Sequence, residues 1–216
     1  MQIVKLKIWF FSVLFLPLAL LLTGCLAIQV GGEIQKGRME LMYGDPKVAL
    51  AHFQRAAELD PDYHLNYSIF YEGVWTYVGR ANFAAAMIPE ARQALERARA
   101  DDADNLAKLY LGIVLAQSGE RDRGFKEIEA GLHGVADWYD HVEFYSADGR
   151  FWDPGSRPLR REIQKQLASL ASREIATNDL VLNLAALGKE IELEIERAKD
   201  HKEWYWDRRF HGDTQP

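Results

Sequence analysis

Apolar side chains recur along this chain in short clusters whose spacing is that of helices. Ala49, Phe53, Ala56 and Ala57 share one helical face, which Asp60-Pro61-Asp62 ends. Leu106, Leu109, Tyr110, Ile113, Val114 and Leu115 fill a second element, and Phe125, Ile128 and Leu132 a third. Later, Leu159, Ile163, Leu167 and Leu170 make one stripe, and Leu180, Leu184, Leu187, Ile191 and Ile195 another. The boundaries agree with the pattern. Asp45 stands where an N-cap is needed, with Pro46 in the first turn, where its missing N–H costs nothing. Ser156 and Pro158 mark a second start, and Thr177 to Asp179 a third. Acidic and apolar residues alternate from Glu190 to Glu196, as in a strand, but the continuing stripe and helix-forming neighbours predict helix. From Asn66 to Met87 nothing stops a helix except the tolerable Gly73 and Gly79. That stretch is therefore predicted as one extended helix, with part of Phe70, Tyr71 or Trp75 exposed on its extra turns. No segment reads convincingly as a strand. Residues 146–156, dense in turn formers, predict a loop. The aromatic ending (Trp204, Tyr205, Trp206, Phe210) predicts a segment docked back onto the body.

The central clusters repeat. Gly37, Ala49, Phe53, Ala56 and Pro61 recur at the same offsets as Gly79, Ala91, Leu95, Ala98 and Ala103. They recur again as Gly112, Gly124, Ile128, Gly131 and Ala136, with Gly44, Ala86 and Gly119 at the turn inside each copy. Small residues let two helices of a unit approach, while Phe53, Leu95 and Ile128 fill the space beside them. The copies lie about 42 and about 33 residues apart, around the ~34-residue period of helix-turn-helix repeats. The chain resembles the tetratricopeptide repeat (TPR) family over about half its length, most strongly from Gly44 through Pro61. It departs from that pattern at Glu40, Asn82 and Leu115, where the family usually has an aromatic residue. The second and third copies also lack the final proline. The resemblance implies an all-α fold, an α-solenoid of about three TPR-like helical hairpins over residues 33–138, closed by a C-terminal helical cap over 139–216. In this family the first helix of each unit lines a groove that receives a peptide or helix. Carried onto this chain, the groove positions are Arg38, Leu41 and Met42, then Arg80 and Phe83, then Leu109, Ile113 and Gln117. Arg38 and Arg80 occupy equivalent places, and two stacked guanidiniums can clamp a partner's carboxylate. Reversing both charges to glutamate is then expected to abolish partner capture without unfolding the protein.

The beginning of the chain has a different character. Lys5 and Lys7 precede an apolar run from Ile8 to Leu22, with no acidic residue before Cys25. Its length suits a signal-peptide core and is short for a spanning helix of about 20 residues. Leu22-Thr23-Gly24-Cys25 resembles the bacterial lipoprotein box. That resemblance implies removal of residues 1–24 and acylation of Cys25, the only cysteine of the chain. Multiple acyl chains hold a protein stably on a bilayer where one does so only marginally. Leu26, in place of an aspartate, implies the periplasmic face of the outer membrane. Residues 25–32, ending in Gly31-Gly32, are expected to be a lipidated N-terminus and short tether reaching about 25 Å at roughly 3.3–3.6 Å per residue.

Charge narrows the partners. The chain has 26 basic and 32 acidic residues. Loss of Lys5 and Lys7 with the first 24 residues leaves 24 against 32, a formal charge of −8. Such a protein is a poor ligand for nucleic acid or an anionic surface, so the lipid would provide the attachment. No nucleophile constellation, phosphate loop or cofactor motif stands out. Asp137, Asp140, His141 and Glu143 make the best metal-like cluster, but a divalent ion usually needs more ligands and a shaped cavity. The expectation is a non-enzymatic, membrane-anchored scaffold or assembly factor with no cofactor or metal, binding another cell-envelope protein. The alternative is an accessory lipoprotein of transport or cell-wall metabolism that holds a small ligand or glycan among Trp75, Phe83, Trp152 and the terminal aromatics.

Overall fold

The computed structural model describes residues 26–67, 70–145, 157–173 and 175–210. Among them are eight helices and one two-stranded hairpin. The fold is all-α in class, with almost no sheet.

Helix α1 is described from residue 26 to residue 43. Residues 26–32, expected as a tether, are thus the first turns of a helix. The reason is packing: Val30 and Ile34 are buried on the same side as Met42, and that side holds the preceding turns in register. At Gly44 the chain reverses. Its N–H donates to Glu40 O at 2.9 Å, while the Glu40 carboxylate folds back to accept from Asp45 N at 3.1 Å. Asp45 caps α2 (Pro46–Leu59) by accepting from Lys47 N at 2.8 Å. Ala49, Leu50, Phe53, Ala56 and Ala57 form its buried face.

The extended helix expected from Asn66 to Met87 is not there. Instead β1 (His64–Tyr67) pairs antiparallel with β2 (Phe70–Gly73), His64 opposite Gly73, and α3 (Val74–Ala84) starts only afterwards. Tyr and Phe favour the pleated backbone, but tertiary demands decide the matter. Glu72 on β2 reaches Arg80 on α3. In one continuous helix the two would stand two turns apart, about 12 Å along the axis. Val74 N, at the corner, donates to Tyr63 O at 2.8 Å.

Beyond α3 come α4 (Ile88–Ala98), α5 (Asn105–Gln117) and α6 (Arg121–Tyr145). Ala86 turns the α3–α4 corner at φ 59°, and Gly119 turns the α5–α6 corner at φ 94°, where glycine alone is unstrained. Asp104 does double duty. One carboxylate oxygen caps α5 through Ala107 N at 2.8 Å, and the other accepts from Gly73 N at 2.8 Å and Thr76 Oγ1 at 2.6 Å. It thereby ties the start of α3 to the start of α5.

The three helix pairs share one close approach. A side chain at Gly37 would strike Phe53, one at Gly79 Leu95 and one at Gly112 Ile128, each sixteen positions later. In the third pair the backbones themselves touch. A Cβ at Gly124 would lie 2.7 Å from Gly112 O, and one at Gly131 2.6 Å from Leu109 N. Glycine thus replaces alanine in that copy because α5 and α6 leave no room for a methyl.

Helices α7 (Arg157–Ser172) and α8 (Thr177–Phe210) follow. The expected stripe on α8 (Leu180, Leu184, Leu187, Ile191, Ile195) is buried against α5 and α7. The expected loop and the capping role of Ser156 lie outside the described residues, as do the side chains of the terminal aromatics. No helix among the described residues is long and apolar enough to cross a membrane.

Candidate functional site

Helix α8 covers the side of the helix pairs from which Arg38 and Arg80 project. Both arginines are inside, 1% and 3% exposed. Each carries a charge that a dry interior would reject unless it were paired and hydrogen-bonded, and α8 supplies the pairing. Arg38 Nε donates to Glu192 Oε1, and Arg38 Nη1 pairs with Glu196. Arg80 Nη1 forms an ion pair with Glu192 Oε2 at 2.7 Å and donates to Glu72 Oε1. The result is an alternating row: Glu196, Arg38, Glu192, Arg80, Glu72. The guanidinium of Arg80 also stands 5.2 Å from the Tyr110 ring centroid and 5.8 Å from that of Tyr77, within range of a cation–π attraction.

Three elements of different origin make this row possible. Arg38 and Arg80 sit at equivalent places on α1 and α3. Glu192 is flanked by Ile191 and stands one turn before Ile195, so docking that stripe drives its carboxylate inward. Glu72 arrives from the hairpin.

Electrostatics sorts the protons. Burial raises Glu72, only partly offset by Arg80, and leaves it at about 8. Its Oε2 has no hydrogen-bond partner among the described residues. For Glu192, burial pushes upward too, but Arg80 and Arg38 more than reverse it and hold the carboxylate below its usual range. Arg80 is lowered by burial and raised further by Glu72 and Glu192, ending well above the ordinary arginine value. The row thus sets two guanidiniums against Glu192, held toward its charged form, with Glu72 pushed toward its neutral form.

Beside the row lies a cleft of about 180 Å³. Leu41, Met42, Phe83 and Ala84 wall it, Arg80 and Glu192 form its charged side, and Lys189 stands on the α8 side. Of the groove positions read from the sequence, Arg38, Leu41, Met42, Arg80 and Phe83 are gathered around this cleft and the adjoining row. Leu109 and Ile113 belong to the core beneath, and Gln117 is exposed at the end of α5. The carboxylate that the two arginines grip belongs to this chain. Charge reversal at Arg38 and Arg80 would therefore bury carboxylates against Glu192 and Glu72, and the fold would not tolerate it. The expectation that the double variant stays folded is corrected accordingly.

Glu72, Glu192 and Tyr110 were not legible as site residues. The one signal was the acid–apolar alternation from Glu190 to Glu196, which placed carboxylates beside a buried stripe. Trp75 is engaged within the fold: its Nε1 donates to Pro61 O at 2.9 Å and Arg97 covers its ring at 3.7 Å. Trp152 lies outside the described residues. Asp140 pairs with Arg160 at 2.7 Å, and no group of three potential metal ligands occurs among the described residues. Compared with known proteins, the chain matches no family model, no curated protein and no solved structure.

Proposed function

We propose that this chain is a TPR-like α-solenoid lipoprotein, acylated on Cys25 and held on the periplasmic face of the outer membrane, where it acts as a non-enzymatic scaffold for another envelope protein. The observation that carries this reading is the pair of arginines at equivalent places on successive units, both closed on one carboxylate of a helix. An inner face built this way grips an acidic amphipathic helix, and α8 already fills part of it. What stays open is the cleft beside α8. A partner segment bearing an apolar residue and a carboxylate would seat the first among Leu41, Met42 and Phe83 and set the second toward Lys189.

The test is a photocrosslinking side chain in place of the exposed Ala84 at the cleft, in membrane-attached protein. One envelope protein should be captured, and capture should be lost in the Lys189→Glu variant, whose site is at the surface. No adduct, or an adduct indifferent to Lys189→Glu, overturns the reading.

The small volume of the same cleft favours a second reading, in which it holds a small ligand with an apolar body and an acidic group. Short alkyl carboxylates should then raise the melting temperature of the folded chain, and Ala84→Trp, which fills the space, should remove that rise. An unchanged melting temperature rejects it.

A further inference from the structure

Among the described residues, the exposed large apolar side chains are concentrated on α1 and the start of α2. Leu26, Ile28, Met39 and Tyr43 belong to α1 and Val48 to the start of α2, while Leu182 stands apart on α8. Ile28, Tyr43 and Met39 are 77%, 69% and 46% exposed. At helical spacing, Ile28, Gly32, Lys36, Met39 and Tyr43 lie along one line of α1, opposite the buried Val30, Ile34 and Arg38. Ile28 and Tyr43 are about 22 Å apart along the axis at a rise of 1.5 Å per residue, so the strip runs nearly the whole helix. A monomer gains nothing by leaving such a strip in water.

Charge on the same face is as selective. The chain is acidic, yet no carboxylate stands on this line. Of the two glutamates of α1, Glu33 has its charge offset by Lys36 at 2.9 Å and by His52 at 2.6 Å, and Glu40 is folded onto Asp45 N. Gly31 and Gly32 add a stretch where a side chain would meet nothing within 4 Å, so neither glycine is required by internal packing.

We infer that this outward face of α1 lies flat on the bilayer surface, with Ile28, Met39 and Tyr43 at the level of the headgroups and upper acyl chains. The inference rests on the reading of Cys25 as the acylated residue. An anchor one residue before the first described residue of α1 brings the helix to the membrane, and the apolar strip decides that it lies along the surface instead of standing away from it. Tyrosine suits that level because its ring is apolar and its hydroxyl stays hydrated, and a helix with one apolar face and low overall hydrophobicity binds in the interface plane. The docked face is opposite the one that carries Arg38, so the cleft beside α8 would be directed away from the bilayer.

The acylated chain, reconstituted in phosphatidylethanolamine–phosphatidylglycerol vesicles, provides the test. Single variants Met39→Cys, Tyr43→Cys and, as a control on exposed α6 surface, Lys126→Cys are labelled with an environment-sensitive fluorophore, the Cys25 sulfur being blocked by its thioether. Nitroxide-bearing lipids should quench the labels at positions 39 and 43 several-fold more than the label at position 126. Equal quenching at the three positions overturns the inference. So does a label at position 39 or 43 that is shielded from water but untouched by the lipid quencher, which would mean that protein, a partner or a second copy, covers the strip. Mass measurement of the N-terminal peptide separates the two claims. Acyl chains on Cys25 with labels open to water remove the docking alone; their absence removes the anchor and the docking together.

Discussion

Arg80 on α3 meets Glu192 on α8 at 2.7 Å, far from water, and Arg38 on α1 closes on the other oxygen of the same carboxylate. The pairing places an ion in the middle of the molecule that belongs to neither of the arginines' own helices. It also ties α8 to α1 and α3. A buried pair adds little net stability over a well-packed apolar replacement, but breaking one leaves an uncompensated charge.

Glu192→Ala should therefore cost far more than its size suggests, about 3–5 kcal/mol in the range for breaking a buried pair, because it takes from each of two buried guanidiniums one of its two carboxylate partners. Glu196→Ala, removing a carboxylate in contact with solvent, should cost well under half of that. Urea titration of the purified chain reads both, and equal losses would show that the row does not discriminate between the two positions.

Stability should depend on pH through Glu72. Its folded value is about 8 against an ordinary 4.5. A carboxyl raised on folding contributes stability that is complete below its unfolded value and is lost as pH rises through the folded one. Glu192, held low, acts in the opposite sense at acid pH, losing its contribution as pH falls through its depressed value. Between 4.5 and about 8, then, wild type should weaken with rising pH relative to Glu72→Gln. Denaturation midpoints of the two proteins across that interval provide the check, and parallel curves would contradict the assignment.

Two glycines should respond oppositely to the same methyl. Gly112→Ala forces a Cβ to 2.6 Å from both Gly124 O and Ile128 N, and overpacking of this kind costs about 1–3 kcal/mol. Gly31→Ala meets nothing within 4 Å, and alanine should stabilise that helix by up to about 1 kcal/mol. Thermal unfolding of the two variants would show shifts of opposite sign.

Asp104→Ala removes a helix cap worth about 0.5–2 kcal/mol. It also leaves Gly73 N and Thr76 Oγ1 without their acceptor. Asp104→Asn retains an acceptor oxygen and should recover a good part of the loss. Hydrogen exchange at Gly73 and Ala107 should rise together in the alanine variant, since one side chain holds both amides.

The linear pattern of residues by itself determined most of the helices. Asp45 and Pro46 could be read as a helix start because capping is local chemistry, satisfied within a few residues. The stripe from Leu180 to Ile195 could be read because a period of 3.6 marks a buried face whatever it is buried against. The recurrence of Gly37, Gly79 and Gly112 likewise pointed to close helix contacts, each now seen with its larger neighbour sixteen positions on. Only the tertiary structure decided the rest. The hairpin at His64–Gly73 prevails over a helix because Glu72 must come back to Arg80, a demand that local propensity does not contain. The occupant of the two arginines was likewise out of reach, since Arg38 and Glu192 are separated by most of the chain. Periodicity says which face of a helix is turned inward, but not which distant charge will be waiting there, because that depends on how all the intervening elements pack.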